Sequence, residues 1–136
     1  MDGKNPPHTQ LLGTELWNTE PGLSNAPALS GAWFASVSDG TFHQLVTRYR
    51  ARFNATPFRL ASLGYDAVLL AVKVGGHWSP GTPFPRAALL DGDGFSGIDG
   101  AFRFNGSGIA ERMLEVQQIR SGGFDTISAA PRSFGG

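Results

Sequence analysis

The stretch Phe53-Asn-Ala-Thr-Pro-Phe-Arg-Leu-Ala-Ser-Leu-Gly-Tyr-Asp-Ala-Val-Leu-Leu-Ala-Val-Lys73 contains the end of one predicted helix and most of a second. Pro57 cannot continue a helix, because it has no amide proton and its ring clashes with the preceding turn. The first helix is therefore predicted to end near Asn54, and the second to begin near Leu60. Gly75-Gly76 is predicted to end the second helix.

The first helix is indicated by a stripe of apolar residues ahead of this stretch. Thr41 and Gln44 have the spacing of a capping box, which predicts a helix start at Thr41. The apolar residues that recur at helical intervals are Phe42, Leu45, Val46, Tyr49 and Phe53. Such a stripe is typical of a helix with one side against a core.

The second helix has an apolar surface that is wider than a normal amphipathic stripe. One face consists of Leu60, Leu63, Ala67, Leu70, Ala71 and Val74. Val68, Leu69 and Val72 extend that face further around the helix. We therefore expect this helix to be buried on most sides.

Short strands are predicted on both sides of the helices. Leu11 and Leu12 are expected to start a short buried strand, and residues 32–35 form a second apolar run that suits a strand. These two strands precede the first helix. A proline-containing linker and a short helical turn at residues 86–90 follow the second helix.

The last third of the chain has the alternating pattern of strands. Phe102 and Phe104 flank a polar residue, and the glycines of residues 106–108 can supply the turn of a hairpin. A final short strand is predicted over residues 124–127. Together with the helices, this pattern predicts an α/β protein.

Length and composition predict one domain's worth of polypeptide without affinity for nucleic acid. The chain has 136 residues, of which 40% are hydrophobic, enough for a sizeable core. Eleven basic and eleven acidic residues cancel, and there is no basic run of four. No apolar stretch approaches the roughly 20 residues that cross a bilayer. The chain has no cysteine, so disulfides are excluded.

The first ten residues, Met1–Gln10, are polar and contain two adjacent prolines. We expect them to form a mobile leader before residue 11. They have neither the basic region nor the apolar region of a secretory signal.

Several short motifs match known sites only in part. Gly92, Gly94 and Gly97 have the spacing of a dinucleotide fingerprint, but they precede a strand and do not open a helix. Asp91-x-Asp93 begins like a calcium loop, yet later ligand positions are apolar. The histidines are scattered, and Ser96 lacks the glycine spacing of a hydrolase nucleophile. The sequence therefore predicts no catalytic residue, no metal site and no cofactor.

The helix pair resembles the last long helix pair of type I periplasmic binding proteins, the amino-acid-binding subunits of ABC importers and their relatives. Further segments that resemble this family are a late strand with a ligand-facing loop at Leu11–Trp17, a crossing between two lobes at Leu29–Ala35, and closing strands at Phe95–Phe104 and Val116–Phe124. The resemblance implies an α/β fold in which helices pack on a mostly parallel sheet, with closing strands at the C-terminus.

Members of this family have two lobes and are much longer than this chain. The resemblance therefore implies that residues 11–136 are the C-terminal portion of such a domain. An isolated portion is expected to expose apolar surface that needs a partner.

The resemblance also implies a function and a site. It implies a non-enzymatic protein that binds a small polar, amino-acid-like solute in the periplasm and passes it to an ABC permease. A glutamate in the matching loop of relatives meets the ligand's ammonium group, which gives Glu15 that role. Trp17 can add an apolar wall or a cation-π contact, and Ser62 resembles a position that borders the ligand.

Each of these residues also has a simpler interpretation, which the sequence leaves open. Glu15 is equally well an exposed loop carboxylate, and Trp17 a packed side chain. For Ser62 the simpler interpretation, a helix N-terminal serine with a local hydrogen bond, is the stronger one.

Two other functions are also left open. Lipoprotein activators of penicillin-binding proteins carry a similar domain, and Trp33-Phe34 and Pro131–Phe134 resemble that branch. The protein would then be a regulator that binds a peptidoglycan synthase and needs no small ligand. In the other alternative, the chain is a homo-oligomer in which Leu60–Val74 is buried against a second copy.

Overall fold

The structure is a computed structural model, and it describes residues 9–134. Its strands and helices are, in order, β1 (Leu12–Gly13), β2 (Trp33–Ser36), α1 (Asp39–Phe53), α2 (Ala61–Gly75), β3 (Phe95–Gly97), β4 (Gly100–Phe104), β5 (Ala110–Arg112), β6 (Glu115–Arg120) and β7 (Gly123–Ser128). Short 3-10 turns lie at Glu15–Thr19, Pro21–Asn25, Pro27–Leu29 and Arg86–Leu90. Most of the predicted leader, residues 1–8, lies outside the described residues.

The chain divides into two compact units. The first contains the residues up to Val37 together with Leu114–Ala130. Its sheet has the strand order β1-β2-β6-β7. Its core is formed by buried Ala32, Phe34 and Ile119, against which Leu11, Trp17, Leu23, Leu29 and Phe124 pack.

The second unit contains Ser38–Met113 and the residues from Pro131 onward. It has both helices and a sheet of the order β3-β4-β5, in which both pairs are antiparallel. The 3-10 turn at Arg86–Leu90 confirms the predicted helical turn. The turn between β4 and β5 includes the glycines of residues 106–108, as predicted.

The α/β class is confirmed, but the expected mostly parallel sheet is wrong for the described residues. Only β1 and β2 run parallel, and the other four strand pairs are antiparallel. The physical reason is connectivity. Parallel neighbours need a long crossover, usually a helix, whereas short turns join antiparallel strands. This accounts for three of the four antiparallel pairs, because β3 to β5 and β6 to β7 are joined by short turns. The fourth pair, β2 and β6, is joined by a long connection that contains both helices.

The helix boundaries are mostly as predicted. Asn54 ends α1 with a left-handed backbone, φ 49°, which asparagine tolerates better than most residues. The start of α2 next to Leu60 and its end at Gly75 are confirmed. The predicted capping box is wrong, because α1 already begins at Asp39 and Thr41 lies inside its first turn. A carboxylate in the first turn complements the helix dipole, which favours the earlier start.

The expected burial of α2 on most sides is wrong. Its buried residues are Ser62, Asp66 and Val74. The exposed apolar surface of α2 consists of Leu63, Val68, Leu69 and Val72. No element of the second unit covers these side chains, so the apolar pattern of the helix has no matching surface within the described residues of its own unit.

The N-terminal strand is present, but its predicted burial is only half correct. Leu11 packs on the core, whereas Leu12, the first residue of β1, is exposed. The two-residue β1 pairs only with β2 at the edge of its sheet, so one of two successive side chains points away from the core. The strands predicted at residues 32–35 and 124–127 correspond to β2 and β7.

Candidate functional site

Glu15 lies in the loop that follows β1, at the first position of the 3-10 turn Glu15–Thr19. Its side chain is exposed, and within the described part of the chain its carboxylate has no hydrogen bond or ion pair. A carboxylate without a partner is free to accept charge-assisted hydrogen bonds from a cation. This placement agrees with the predicted ammonium contact, but equally with an exposed loop carboxylate.

Trp17 is held on the core of the first unit. Its indole ring lies 6.0 Å from the Phe34 ring, centre to centre, at an angle of 50°. The ring also lies against Gly13, where an added Cβ would overlap it. The backbone N–H of Trp17 donates to the Thr14 carbonyl at 3.0 Å, which closes the turn. Trp17 therefore packs in the core and at the same time fixes the loop that carries Glu15.

Ser62 is buried near the start of α2. Its hydroxyl lies 2.6 Å from Asp99 Oδ2 and 2.9 Å from the Arg59 carbonyl, and it accepts from Arg59 Nη1 at 3.0 Å. The contact with the Arg59 carbonyl is the local hydrogen bond of the simpler interpretation. A ligand could reach this hydroxyl only if the surrounding hydrogen bonds opened.

Arg59 neutralises the buried Asp99 carboxylate. Its Nη1 atom lies 2.6 Å from Asp99 Oδ1, and its guanidinium lies 4.2 Å from the centre of the Phe42 ring. Its Nε atom is 3.4 Å from Asp39 Oδ1, a charge contact without hydrogen-bond geometry. Charge pairing and the aromatic ring together allow this cation to be largely buried.

Asp66 lies one helical turn after Ser62 on α2 and contacts the turn between β3 and β4. Its Oδ1 accepts from the Ile98 backbone N–H at 2.6 Å, and Arg112 Nη1 lies 3.4 Å from Oδ2. An added Cβ at Gly97 would overlap this carboxylate, so glycine is required there. Asp66 is a buried residue, whereas its neighbour Tyr65 is exposed.

These contacts form two neighbouring polar groups on α2, which we call together the α2 cluster: Arg59, Ser62 and Asp99, and Asp66 with Arg112. It joins α2 to the turn between β3 and β4 and contains two carboxylates and two guanidinium groups. Most of its polar groups already have partners within the unit. The cluster therefore stabilises the packing of the unit. The sequence pattern did not reveal it, because the side chains that contact each other across it lie 37 to 46 residues apart.

The predicted site residues lie in different units. Glu15 and Trp17 share one turn of the first unit, and Ser62 belongs to the second. Their predicted role as ligand contacts stays a prediction for all three. Of the three, Glu15 is the residue whose polar group is free to bind.

Comparison with solved structures gives a consistent group of neighbours. A putative branched-chain amino acid ABC transporter protein from Rhodospirillum rubrum aligns over 88% of this chain and 37% of its own, with 25% identity and a TM-score of 0.72. A substrate-binding protein of an ABC transporter from Desulfitobacterium hafniense covers 89% of this chain with 21% identity and a TM-score of 0.59. A leucine-binding protein from Thermotoga maritima covers 90% with 21% identity and a TM-score of 0.51.

The chain spans only a little over one third of the length of these proteins, between 36% and 37%. No family model matches the sequence, and no curated protein matches it. No helix among residues 9–134 is long and apolar enough to cross a membrane.

Proposed function

We propose that the chain, which has part of the type I periplasmic-binding-protein fold, is the C-terminal portion of a solute-binding protein of an ABC importer. In this proposal residues 11–136 catalyse no reaction. They contribute to the capture of a small polar, amino-acid-like solute in the periplasm, which then passes to an ABC permease. The observation that carries the proposal is the similarity to the Rhodospirillum rubrum protein along 88% of the chain at a TM-score of 0.72.

Glu15 is the group that we propose for the solute's ammonium. Two features of the described residues support it: the carboxylate has no internal partner, and Trp17 holds its loop against the core. An ammonium bound to an unpaired carboxylate gains a charge-assisted hydrogen bond, and the loop does not have to become ordered on binding.

The proposed solute is an amino acid with an apolar side chain. One neighbour is a putative branched-chain amino acid ABC transporter protein and another is a leucine-binding protein, and Trp17 offers an apolar surface beside Glu15. Ser62 is a weaker candidate, because its hydroxyl is occupied in the α2 cluster.

The regulator of peptidoglycan synthesis has less support in the described residues. Phe34 is a core residue, and Phe134 lies under the Arg103 guanidinium at 4.4 Å. One aromatic residue of each segment that suggests this alternative therefore has a packing role. Binding to a peptidoglycan synthase remains its test.

The experiment is a calorimetric titration of the 136-residue chain with L-leucine. We expect a dissociation constant of about 1 mM, because only part of a binding fold is present. Glu15→Gln should weaken binding at least about tenfold through loss of the charge. Glu20→Gln, at an exposed carboxylate of the same unit, should leave binding unchanged and serves as the matched control. Equal affinity of the Glu15→Gln variant and the native chain would contradict the role of Glu15, and no heat with any amino acid would contradict solute binding by this chain.

A further inference from the structure

One face of the sheet in the first unit changes along its strands from apolar to polar. Phe34 pairs with Gln117, and Ser36 pairs with Glu115, across β2 and β6. Directly paired residues of antiparallel strands point to the same side of a sheet. Glu115 and Gln117 therefore continue the face that carries the Phe34 core, and both are buried at its polar end.

Glu115 is a buried carboxylate without a cation. It is only 7% exposed, and none of the ion pairs among residues 9–134 includes it. Its Oε1 atom accepts from Gln117 Nε2 at 2.6 Å and from Thr126 Oγ1 at 3.2 Å. Both donors are neutral, whereas buried carboxylates are ordinarily paired with a positive group.

Gln117 adds a second acceptor that lacks a donor. The residue is 6% exposed, and its Oε1 atom is buried without a hydrogen-bond partner. Exchanging the two ends of the amide would not repair this, because the carbonyl oxygen would then face the Glu115 carboxylate at the position of Nε2. An unpaired buried acceptor is rare in folded proteins and calls for an explanation.

Neighbouring Ser36 has further capacity to accept a hydrogen bond. Its hydroxyl, fully buried, donates to the Val37 carbonyl at 3.0 Å, so its lone pairs are available. The polar end of the sheet thus presents one charged acceptor and neutral acceptors but no cationic donor within the described residues.

We infer that Glu115 and Gln117 form a binding site for a small organic cation with N–H donors, namely a primary ammonium. An ammonium has one positive charge and three N–H donors. These match the Glu115 carboxylate, which has no cation, the Gln117 amide oxygen, which has no donor, and the Ser36 hydroxyl. A divalent metal fits less well, because calcium takes six to eight oxygen ligands and usually several carboxylates. This site is distinct from Glu15 and does not depend on the proposal of solute transport.

The first test compares two ammonium salts in thermal unfolding of the 136-residue chain. At about 50 mM, well above an expected dissociation constant of about 1 mM for so small a ligand, ethylammonium chloride should raise Tm by about 5 °C. Tetramethylammonium chloride at the same ionic strength has the same charge but no N–H donor, and it should have no such effect. Equal shifts with the two salts would overturn the inference.

The second test uses Glu115→Gln, which keeps an acceptor for Gln117 and Thr126 but removes the charge. Without ligand we expect this variant to raise Tm by about 3 °C, because an uncompensated buried charge is lost. The shift with ethylammonium should disappear. Glu20→Gln, at an exposed carboxylate of the same unit, should keep the shift and the native Tm. A lower Tm for Glu115→Gln would mean that the charge is already compensated, and would overturn the inference.

A local readout separates binding from general stabilisation. The side-chain amide signals of Gln117 in a two-dimensional NMR spectrum should move on titration with ethylammonium, because the ligand donates to the Oε1 atom of the same amide. The side-chain amide of Gln44, which lies on α1 in the other unit, is the control and should not move. Unchanged Gln117 signals at saturating ethylammonium would contradict the site even if Tm rises.

Discussion

The core of the first unit and the surroundings of α2 have opposite patterns of burial. Phe34 packs in a cluster of apolar side chains that come from strands and turns across the unit, and the buried polar side chains of the same face lie at its other end. Along α2 two of the three buried residues are polar, Ser62 and Asp66, whereas most of its leucines and valines are exposed. Both regions come from sequences with many apolar residues, so composition does not explain the difference.

This contrast limits what an apolar sequence pattern can predict. It shows where an element is able to bury surface, but the packing decides which side is buried. In the first unit three 3-10 turns and the strands β6 and β7 supply surface that packs with Phe34. Beside the buried polar residues of α2 lies the turn after β3, whose Ile98 N–H and Asp99 carboxylate need polar partners.

The comparison is tested most strongly by removing one aromatic ring from each region. Phe34 is 1% exposed and lies 5.1 Å from the Phe124 ring, whereas Phe58 is 88% exposed. Phe34→Ala should lower the free energy of unfolding by about 3–5 kcal/mol through lost burial and a cavity. Phe58→Ala should change it by less than about 0.5 kcal/mol.

Urea unfolding followed by two optical signals gives both values. In a Trp78→Phe background the remaining tryptophans, Trp17 and Trp33, both lie in the first unit, and their fluorescence gives the value for Phe34→Ala. Phe58 lies in the second unit with both helices, so far-UV circular dichroism in the same urea titration gives the value for Phe58→Ala. Similar losses for the two alanine variants would mean that the exposed ring is covered in solution, and the contrast between the regions would not hold.

Much of the fold could be predicted because local chemistry decides it. Pro57, Asn54 and Gly75 mark helix ends through backbone restrictions that act within a few residues. The start of α1 was predicted two residues late, because Thr41 matches a capping box although Asp39 already lies in the first turn. The burial of α2 could not be predicted, since it depends on surfaces distant in sequence.

A second pair of variants tests whether the polar cluster stabilises the α2 region. Asp66→Ala would leave the buried Ile98 N–H without an acceptor and Arg112 without its carboxylate. We expect a loss of about 2 kcal/mol in the free energy of unfolding. Asp93→Ala, at an exposed loop carboxylate, should cost less than about 0.5 kcal/mol.

Far-UV circular dichroism during urea unfolding measures this loss, because both helices lie in the second unit. Hydrogen exchange of the Ile98 amide adds a local value, and Asp66→Ala should make this amide exchange faster. Equal stability of the two aspartate variants would show that the cluster does not hold the sheet to α2 in solution.

The candidate site was less predictable than the fold, because its contacts join residues that are far apart in the sequence. Glu15 could be singled out because a resemblance assigned it a role, and its free carboxylate is consistent with that role. Ser62 was singled out in the same way, but its partner Asp99 is 37 residues away and no periodic pattern connects them. The sequence gives no sign that the Gln117 side-chain oxygen lacks a hydrogen-bond donor. That property depends on the three-dimensional surroundings of the residue, where no donor lies within reach.

The finest test of the comparison uses two valines on the same helix. Val72 is 68% exposed and Val74 is 4% exposed, and both are separated by only one residue. Val72→Ala should change the free energy of unfolding by less than about 0.5 kcal/mol, since little burial is lost and alanine favours helix. Val74→Ala should cost about 2 kcal/mol, because two buried carbon groups and their contacts disappear.

Urea unfolding at several protein concentrations, with sedimentation velocity at the same concentrations, distinguishes a bare helix from one covered by a second copy. If Val72→Ala costs as much as Val74→Ala and the cost grows with protein concentration, the exposed apolar surface of α2 is an interface between copies, and the opposite burial patterns describe only the separate chain.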